Sequence, residues 1–385
     1  MQKLHYEFYS QPKITSGACA LESIPTELAS NDAHKPLVIT GREHMRRGLG
    51  KTLIRAFADS GCPLGGIFDE IRDYAGIGLA RQAAVLFAER GCDAIIALGG
   101  GPVADVARAA NLLVSHDTQD LFRFFNGTPP GKRLKPFILI PACCLNGNES
   151  GKTITVDNRR LTSEFLYPDV IILDKQMTSA CNPRCAAQSA LTTMDNAVTA
   201  FLDTEHSPMK DAFAHAGIGF AAASLKKAIK RPKNKKHSLA MANAGVMAGI
   251  AAANATPGLV RGLAEELEKI TGISRGVFIR IFTPAALAWM TRKTGPPRED
   301  LLLAAGGMSV YANTPEQQRP QKGVEMLLAL LDETRGQIPE TLASLKIPGY
   351  QLEKACVHAG SRKDFPFSAQ DCLEIIEQTQ KGDRR

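Results

Sequence analysis

The sequence predicts an α/β domain built on a parallel sheet, followed by an all-α domain, and three observations carry that prediction. Four short β-branched runs alternate with helical patterns in the first 180 residues: "KPLVIT" (35–40), "DAIIAL" (93–98), "PFILIPA" (136–142) and "PDVIILD" (168–174). Strands of that length, apolar on both sides and separated by helices, belong to a parallel sheet covered on both faces. Beyond residue 180 the texture changes to long Ala/Leu-rich amphipathic stretches such as "DAFAHAGIGFAAASLKKAI" and "KGVEMLLALLDETRG", with no convincing strand. The chain length, 385 residues, accommodates two ordinary domains or one large one. The texture change divides it into 1–180 and 181–385.

Composition excludes several classes. At 44% hydrophobic and 22% charged residues the chain reads as an ordinary globular protein. No window approaches the ~18 consecutive apolar residues of a membrane span, and the opening "MQKLHYEFYSQPK" lacks the apolar core of a signal peptide. A cytoplasmic protein with no membrane partner is expected. Nine cysteines are too sparse for a disulfide scaffold, and neither "CC" (143–144) nor "CNPRC" (181–185) has zinc-finger spacing. Reduced, mostly buried thiols are the simple reading. The formal charge of +7 points to an anionic partner, and nucleotide phosphates qualify as well as nucleic acid. The basic run "KKAIKRPKNKK" (226–236) has no interleaved aromatic to stack on bases, so it reads as a solvated loop between two helices rather than a nucleic-acid site.

The stretch "AIIALGGGPVADVARA" (94–109) has the order of a phosphate site. A strand ends at Leu98, and Gly99, Gly100 and Gly101 let the backbone turn sharply and approach a ligand without a Cβ in the way. Pro102 then stands where a first helical residue would, its φ already suited to the helix. The amides of such a helix start bind anions. The stretch is not GxGxxG, and a glycine turn with no ligand is the plain alternative. A competing signal, Gly50, Lys51 and Thr52 in "ITGREHMRRGLGKTLIRAF", resembles the end of a P-loop, but Met45 stands where GxxxxGK[ST] needs glycine.

Five segments resemble the iron-containing (group III) alcohol dehydrogenases. "GGGPVADVAR" (99–108) resembles that family's GGGSxxDxAK signature, with Asp105 on its aspartate. "PACCLNGNESGKTITVD" (141–157) is similar to PTTAGTGSEVT in order and position, with Pro141, Gly147 and Glu149 clearly kept. "YPDVIILD" is similar to the family strand ending in P-x-x-x-I-x-D, "TTMDNAVTAFL" (192–202) to GMDALTHAIEA, and "NATPGLVRGLAEELEKITGISRG" (254–276) to NAxxGxxHAxAHxLGxxxxxPHG. The resemblance implies the fold shared with glycerol dehydrogenase and dehydroquinate synthase. It places a dinucleotide-binding α/β domain before a helical domain that carries the metal and substrate site, with the active site in the cleft between them. Family members commonly form homo-oligomers, and a dimer is expected here.

The departures from the family pattern bear on chemistry. Members typically hold a divalent metal with one aspartate and three histidines, and that metal polarises the substrate oxygen during hydride transfer. Carried over by position, the aspartate is Asp195, while the three histidines fall on Thr199, Arg261 and Arg275. The second histidine of HAxAH falls on Glu265. A guanidinium stays protonated and has no lone pair for a metal, so no metal is expected. Rebuilding a site from His206, His215 and His237 is the alternative, though "HSPMKDAFAH" reads more simply as helix surface. Asp195, Glu265, Arg261 and Arg275 sum to zero, and Arg261 and Glu265 share a helix face at i,i+4. An ion-pair network at the former metal position is therefore expected. It is either purely structural, or it presents an arginine as electrophile to a carbonyl-bearing or anionic small-molecule substrate.

The nucleotide side has changed as well. Where NAD-preferring members carry an aspartate after the first strand, this chain has Gly41, which leaves room for a 2′-phosphate. Arg42, Arg46 and Arg47 are close enough in sequence to pair with one. NADP is thus the expected cofactor, with NAD as the alternative and a solvated basic helix start as the plain reading. Pro102 replaces the signature serine, and Asn146 and Asn148 remain as hydrogen-bond donors near the pyrophosphate. Three readings stand: an NADP-dependent oxidoreductase for a small aldehyde, ketone or alcohol, with Arg261 or Arg275 as electrophile and solvent or Glu265 handling the proton; a catalytically silent member that keeps nucleotide binding or a scaffold role; and different, non-redox chemistry in the same cleft.

Overall fold

The structure, a computed structural model, describes residues 5–58, 60–72, 74–142, 145, 147–179 and 182–382; Asn146 and the cysteine pair at 143–144 lie outside the described residues. Residues 10–179 with Lys233–Val246 form one compact unit. Asn182–Pro232 with 247–382, joined by the residues up to Tyr9, form the other. The division drawn from sequence assigned those two short segments the other way.

In the first unit the strands are β1 (Lys13–Gly17), β2 (Pro36–Gly41), β3 (Gly66–Ile71), β4 (Ala94–Leu98), β5 (Phe137–Ile140), β6 (Thr153–Val156), β7 (Arg159–Thr162) and β8 (Val170–Asp174). Six of them form a parallel sheet in the order β1-β8-β5-β4-β2-β3. The helices are α1 (Ile24–Ala29), α2 (Arg42–Arg46), α3 (Leu49–Ala56), α4 (Ile77–Glu89), α5 (Pro102–Ser115), α6 (Phe122–Phe125) and α7 (Lys175–Thr178). The four strands legible in the sequence are the four interior ones, buried along their whole length. Their alternate residues feed two cores. Leu37, Ile39, Ile95, Ala97 and Leu139 pack with α4 and α5, while Val38, Ile96, Leu98, Ile138 and Ile172 pack with α1 and α3. This alternation explains why both faces must be apolar.

Four strands escaped the sequence reading. β1 and β3 are edge strands with mixed exposure, so the continuous apolar signal is missing. β6 and β7 form an antiparallel hairpin whose turn residues, Asp157 and Asn158, both have positive φ, at +46° and +61°. That is the two-residue turn which matches strand twist, and Asp and Asn tolerate its left-handed backbone. Asp157 also accepts a 3.0 Å hydrogen bond from the Ile77 amide and so caps α4.

One buried charge fixes the loop that follows β5. Arg108, on α5, is 1% exposed. Its Nε donates to the carbonyl of Leu166 at 2.9 Å, and one terminal nitrogen donates to the carbonyls of Asn148, Glu149 and Gly151 at 3.3, 3.1 and 3.2 Å. Burial lowers its pKa, and the negative charges of Asp105 and Glu149 oppose that effect. The turn at 148–150 thus hangs from the same helix that begins at the glycine loop.

In the second unit the helices are α8 (Pro183–Leu202), α9 (Pro208–Lys230), the C-terminal part of α10 (Lys235–Ala253), α11 (Leu259–Thr271), α12 (Arg275–Thr294), α13 (Asp300–Ala312), α14 (Arg319–Asp332), α15 (Gly349–Gly360) and α16 (Ala369–Gly382). Leu191, Leu263, Leu267, Phe278, Phe282, Trp289 and Ile375 belong to its main core. Among the described residues beyond 180 there is no strand. The basic run expected as a loop is mostly helical: residues 226–230 finish α9, residues 235–236 open α10, and Lys226 pairs with Glu333 at 2.5 Å. Lysine side chains extend helices readily, and only the proline at 232 forces the break. Among the described residues no helix is long and apolar enough to cross a membrane.

Replacing Arg108 by leucine keeps volume but strands four carbonyls around an apolar side chain. A loss of roughly 3 kcal/mol or more in stability is expected on urea unfolding, with Arg108→Lys recovering part of it.

Candidate functional site

At the carboxyl ends of β4 and β2 the predicted phosphate loop has its expected form. Gly99 and Gly101 have φ of +142° and +50°, so both need glycine. A Cβ on Gly101 would meet nothing within 4 Å, which leaves open space at the start of α5. A Cβ on Gly99 would come within 2.8 Å of the His44 ring. Gly100 accepts from the Val103 amide at 3.2 Å, and Asp105, in the first turn of α5, donates its amide to Gly101 at 3.0 Å. Asp105 also acts electrostatically on Arg108 three residues on. Asn148 opens the short turn held by Arg108, through its own carbonyl.

The end of β2 differs from expectation. Gly41 does not leave a vacant space: a Cβ there would lie 3.1 Å from the carbonyl of Ile71 and 3.4 Å from the His44 ring. Arg42 is ion-paired with Glu70 of β3, and Arg47 with Glu43 at 2.8 Å. Arg46 is exposed on α2. Two of the three arginines offered for a 2′-phosphate therefore already hold carboxylates. His44 and Glu70 were missed in the sequence, His44 because a lone histidine near a helix start carries no spacing signal, Glu70 because its edge strand was not recognised.

The second cluster lies wholly in the helical unit. On α8, residues 192, 195, 196 and 199 recur at helical spacing and share a face. Thr199 packs against the residue before α11: a Cβ on Gly258 would come within 2.5 Å of its Oγ1. Gly276 plays a similar part at the start of α12, where a Cβ would lie 3.1 Å from the backbone of Gln188 on α8. These glycines bring α8, α11 and α12 close.

Glu265 of α11 is the hub. Its Oε1 accepts from Arg261 Nε at 3.1 Å and lies 3.7 Å from Arg275 of α12, while its Oε2 accepts from Arg362 at 2.9 Å. Arg261 also donates to Asn196 Oδ1 on α8 at 3.0 Å. Glu268 receives the Arg275 backbone amide at 2.9 Å and the same residue's guanidinium at 3.3 Å, capping α12. Arg362, in the connection between α15 and α16, is bidentate to Asp364 at 3.0 Å for both bonds, with Glu266 3.7 Å away. Burial pulls its pKa down, but Asp364 and Glu265 outweigh burial and raise it. Of the four residues expected, Arg261, Glu265 and Arg275 form the network, which gains Asn196, Glu268, Arg362 and Asp364, whereas no ion pair to Asp195 is seen among the described residues. Arg362 is more than 90 residues from Glu265 in sequence, and no local pattern could have found it.

Asp195 stands apart. Its Oδ2 is buried with no hydrogen-bond partner among the described residues. Burial pushes its carboxyl up to about 7, with Glu265 adding to the rise and Arg261 and Arg275 opposing it. The other histidines do not converge here. His206 lies 3.5 Å from Asp211 beside Arg298, His215 packs against Phe201 with ring centroids 6.3 Å apart, and His237 opens α10. Among the described residues no group of three or more His, Cys, Asp or Glu side chains is arranged to hold a metal ion.

Comparison with known proteins places this geometry in a family. The description of iron-containing alcohol dehydrogenases matches residues 11–175, and that of the Fe-containing alcohol dehydrogenase family C-terminal domain matches residues 186–373. The chain belongs to the iron-containing alcohol dehydrogenase family. It is 29% identical over 289 residues to long-chain-alcohol dehydrogenase 1 of Geobacillus thermodenitrificans, covering 73% of this chain and 72% of the relative. It is 24% identical over 287 residues to sulfoacetaldehyde reductase of Bilophila wadsworthia, covering 73% and 74%. Among solved structures, a 1,3-propanediol oxidoreductase superposes with a TM-score of 0.87 at 19% identity, covering 97% of this chain and all of that one. A sulfoacetaldehyde reductase from Bifidobacterium kashiwanohense, solved with NAD+, gives 0.81 at 18% identity and 98% coverage of both. The protein is accordingly an alcohol dehydrogenase-type oxidoreductase, of a family that acts on alcohols and aldehydes with a nicotinamide nucleotide.

Two measurements probe the cluster. Because the folded chain holds the Asp195 proton more tightly than the unfolded chain, that group stabilises the fold fully below about pH 4 and loses its contribution as pH rises through about 7. Asp195→Asn removes this dependence, so its melting temperature should exceed that of the wild type near pH 8, by a stability gain of at most about 4 kcal/mol, and converge with it in mild acid. Glu265→Ala leaves three guanidiniums facing one another and should cost about 3–5 kcal/mol in urea unfolding.

Proposed function

We propose that this protein is a nicotinamide nucleotide-dependent oxidoreductase for a small aldehyde, ketone or alcohol that works without a metal, a guanidinium taking over the task of polarising the substrate oxygen. The observation that carries the reading is the replacement at the family's ligand positions. One buried carboxyl, one threonine packed on Gly258 and two guanidiniums engaged with Glu265 make a donor set that does not fit a divalent ion. The glycine loop, by contrast, fits a dinucleotide pyrophosphate: its backbone is open at Gly101 and leads into the first turn of a 14-residue helix.

When bound, the nicotinamide supplies or accepts hydride. Arg261 and Arg275, each partly exposed, then donate hydrogen bonds to the carbonyl oxygen as it gains negative charge. Glu265 is unsuited to handle the proton, since both its oxygens already accept from guanidiniums. Solvent or Asp195, whose Oδ2 lacks a partner among the described residues, is left for that role. One observation favours the silent reading as well. Arg261, Lys269, Arg275 and Arg362 are matched by Glu265, Glu266, Glu268 and Asp364, so the network is electrically complete without substrate.

The deciding experiment is turnover of small aldehydes by chelator-treated, metal-free protein, followed at the nicotinamide band. Activity indifferent to chelation and to added zinc or iron is expected, with Arg275→Met lowering kcat/KM about 100-fold while dinucleotide affinity holds. Activity that requires added metal, or tetrahedral metal density at Asp195 in soaked crystals, overturns the reading. Dinucleotide binding without turnover of any carbonyl substrate favours the silent member.

A further inference from the structure

We infer that the ion pair between Glu70 and Arg42, rather than Gly41, decides which dinucleotide this protein takes, and that it selects NAD over NADP. The inference rests on the family's use of a nicotinamide nucleotide and concerns only the adenosine ribose. In open parallel sheets ligands bind outside the carboxyl ends of the strands, and the strand beside the phosphate loop presents the group that meets the ribose 2′ position. Here β4 carries the glycine loop and β2 lies beside it, with Thr40 opposite Leu98 and its hydroxyl donating to the Leu98 carbonyl at 2.7 Å. The next strand outward, β3, is registered so that Gly41 faces Glu70. Strand spacing sets Glu70 about 5 Å beyond the end of β2.

A side chain at position 41 would be tightly packed, its Cβ 3.1 Å from the Ile71 carbonyl oxygen and 3.4 Å from the His44 ring, and this chain carries none there. The carboxylate comes instead from the neighbouring strand, and Arg42, the residue after Gly41, holds it there. Both side chains are roughly half exposed, so the pair contributes little to stability and remains reachable by a ligand. A ribose 2′-hydroxyl can donate to Glu70 while Arg42 stays in place. A 2′-phosphate brings about two negative charges against that carboxylate, whose charge Arg42 already balances, so the spare N–H donors of Arg42 meet the phosphate with no net positive charge left to offset the repulsion. Arg47 gives no help, being held by Glu43 at 2.8 Å, which leaves exposed Arg46 as the remaining cation of α2.

The test is calorimetric titration of the full chain with NADH and with NADPH, for the wild type and for Glu70→Gln, Glu89→Gln and the double variant Glu70→Gln with Arg42→Ala. The wild type should favour NADH by about tenfold or more, and Glu70→Gln should move the affinity ratio toward NADPH by at least about tenfold, or about 1.4 kcal/mol. Adding Arg42→Ala should abolish the gain, and Glu89→Gln, which removes an equal charge at the exposed end of α4, should leave the ratio within about twofold. Unchanged melting temperatures would confirm that these exposed substitutions leave the fold intact. A wild type that favours NADPH, a Glu70→Gln ratio within about twofold of wild type, or an equal shift in Glu89→Gln overturns the inference while dinucleotide binding itself persists. Failure of every variant to bind either dinucleotide overturns the inference together with the family-based cofactor reading beneath it.

Discussion

The helical unit is organised around one largely buried carboxylate. Glu265, 12% exposed on its side chain, receives guanidiniums from its own helix, from the start of α12 and from the connection between α15 and α16. Arg261 extends the reach to α8 through Asn196. Four elements distant in sequence therefore meet at one group. In the family pattern a metal would tie α8, α11 and α12 together at these same positions. Here charge-assisted hydrogen bonds perform that cross-linking, and the two small residues Gly258 and Gly276 set the spacing they need. A network of this kind is not by itself a source of large net stability, because the desolvation of each ion offsets much of the attraction. Its effect lies in interdependence, since removing Glu265 leaves three largely buried guanidiniums short of a carboxylate.

The α/β unit solves a comparable problem with a single cation. Arg108 faces carbonyl groups of four residues, and it connects α5 to the turn at 148–150 and to Leu166. Because α5 begins at the glycine loop, the same helix sets both the backbone of that loop and the position of the turn at 148–150. The family signature has lysine at this position. A planar guanidinium can satisfy several acceptors at once where a single ammonium cannot hold the same fan of directions.

What the sequence disclosed, and what it concealed, follows from how far each signal travels along the chain. The interior strands were legible because burial on both faces leaves a continuous apolar run, as in "DAIIAL" and "PDVIILD". β1 and β3, each with one edge unpaired, lack that run. The hairpin was concealed by its polar strands, though "DN" between them was a usable turn signal. Within the helical cluster, the i,i+4 pair Arg261 and Glu265 was legible because it lies on one helix, and Arg275 because it follows in the same motif. Arg362 was not, since the contact joins helices brought together only by tertiary packing. Gly41 shows a different limit: sequence can register a missing side chain but not that the carbonyl of Ile71 on the neighbouring strand and the His44 ring of α2 crowd the place where one would start.

The charge balance of the cluster bears on what kind of substrate it can admit. A neutral carbonyl compound can accept a hydrogen bond from Arg261 or Arg275 without displacing anything, since each guanidinium has more donors than its carboxylate partners use. An anionic substrate can use the same spare donors, but it meets a network already neutral, and its charge is balanced only where an existing carboxylate moves away. Glu265 cannot yield, being held from three directions. Glu268 can: its side chain is 37% exposed, and its guanidinium contact is to Arg275 at 3.3 Å. An acid-bearing carbonyl compound would therefore engage through exchange at Arg275, with the Glu268 carboxylate swinging into solvent and the α12 amide losing its cap. That exchange trades one carboxylate for another on the same cation, so its Coulombic gain is small. Under the proposed reading, this charge balance disfavours a substrate that brings a further negative charge and favours one whose polarity is confined to the reacting oxygen.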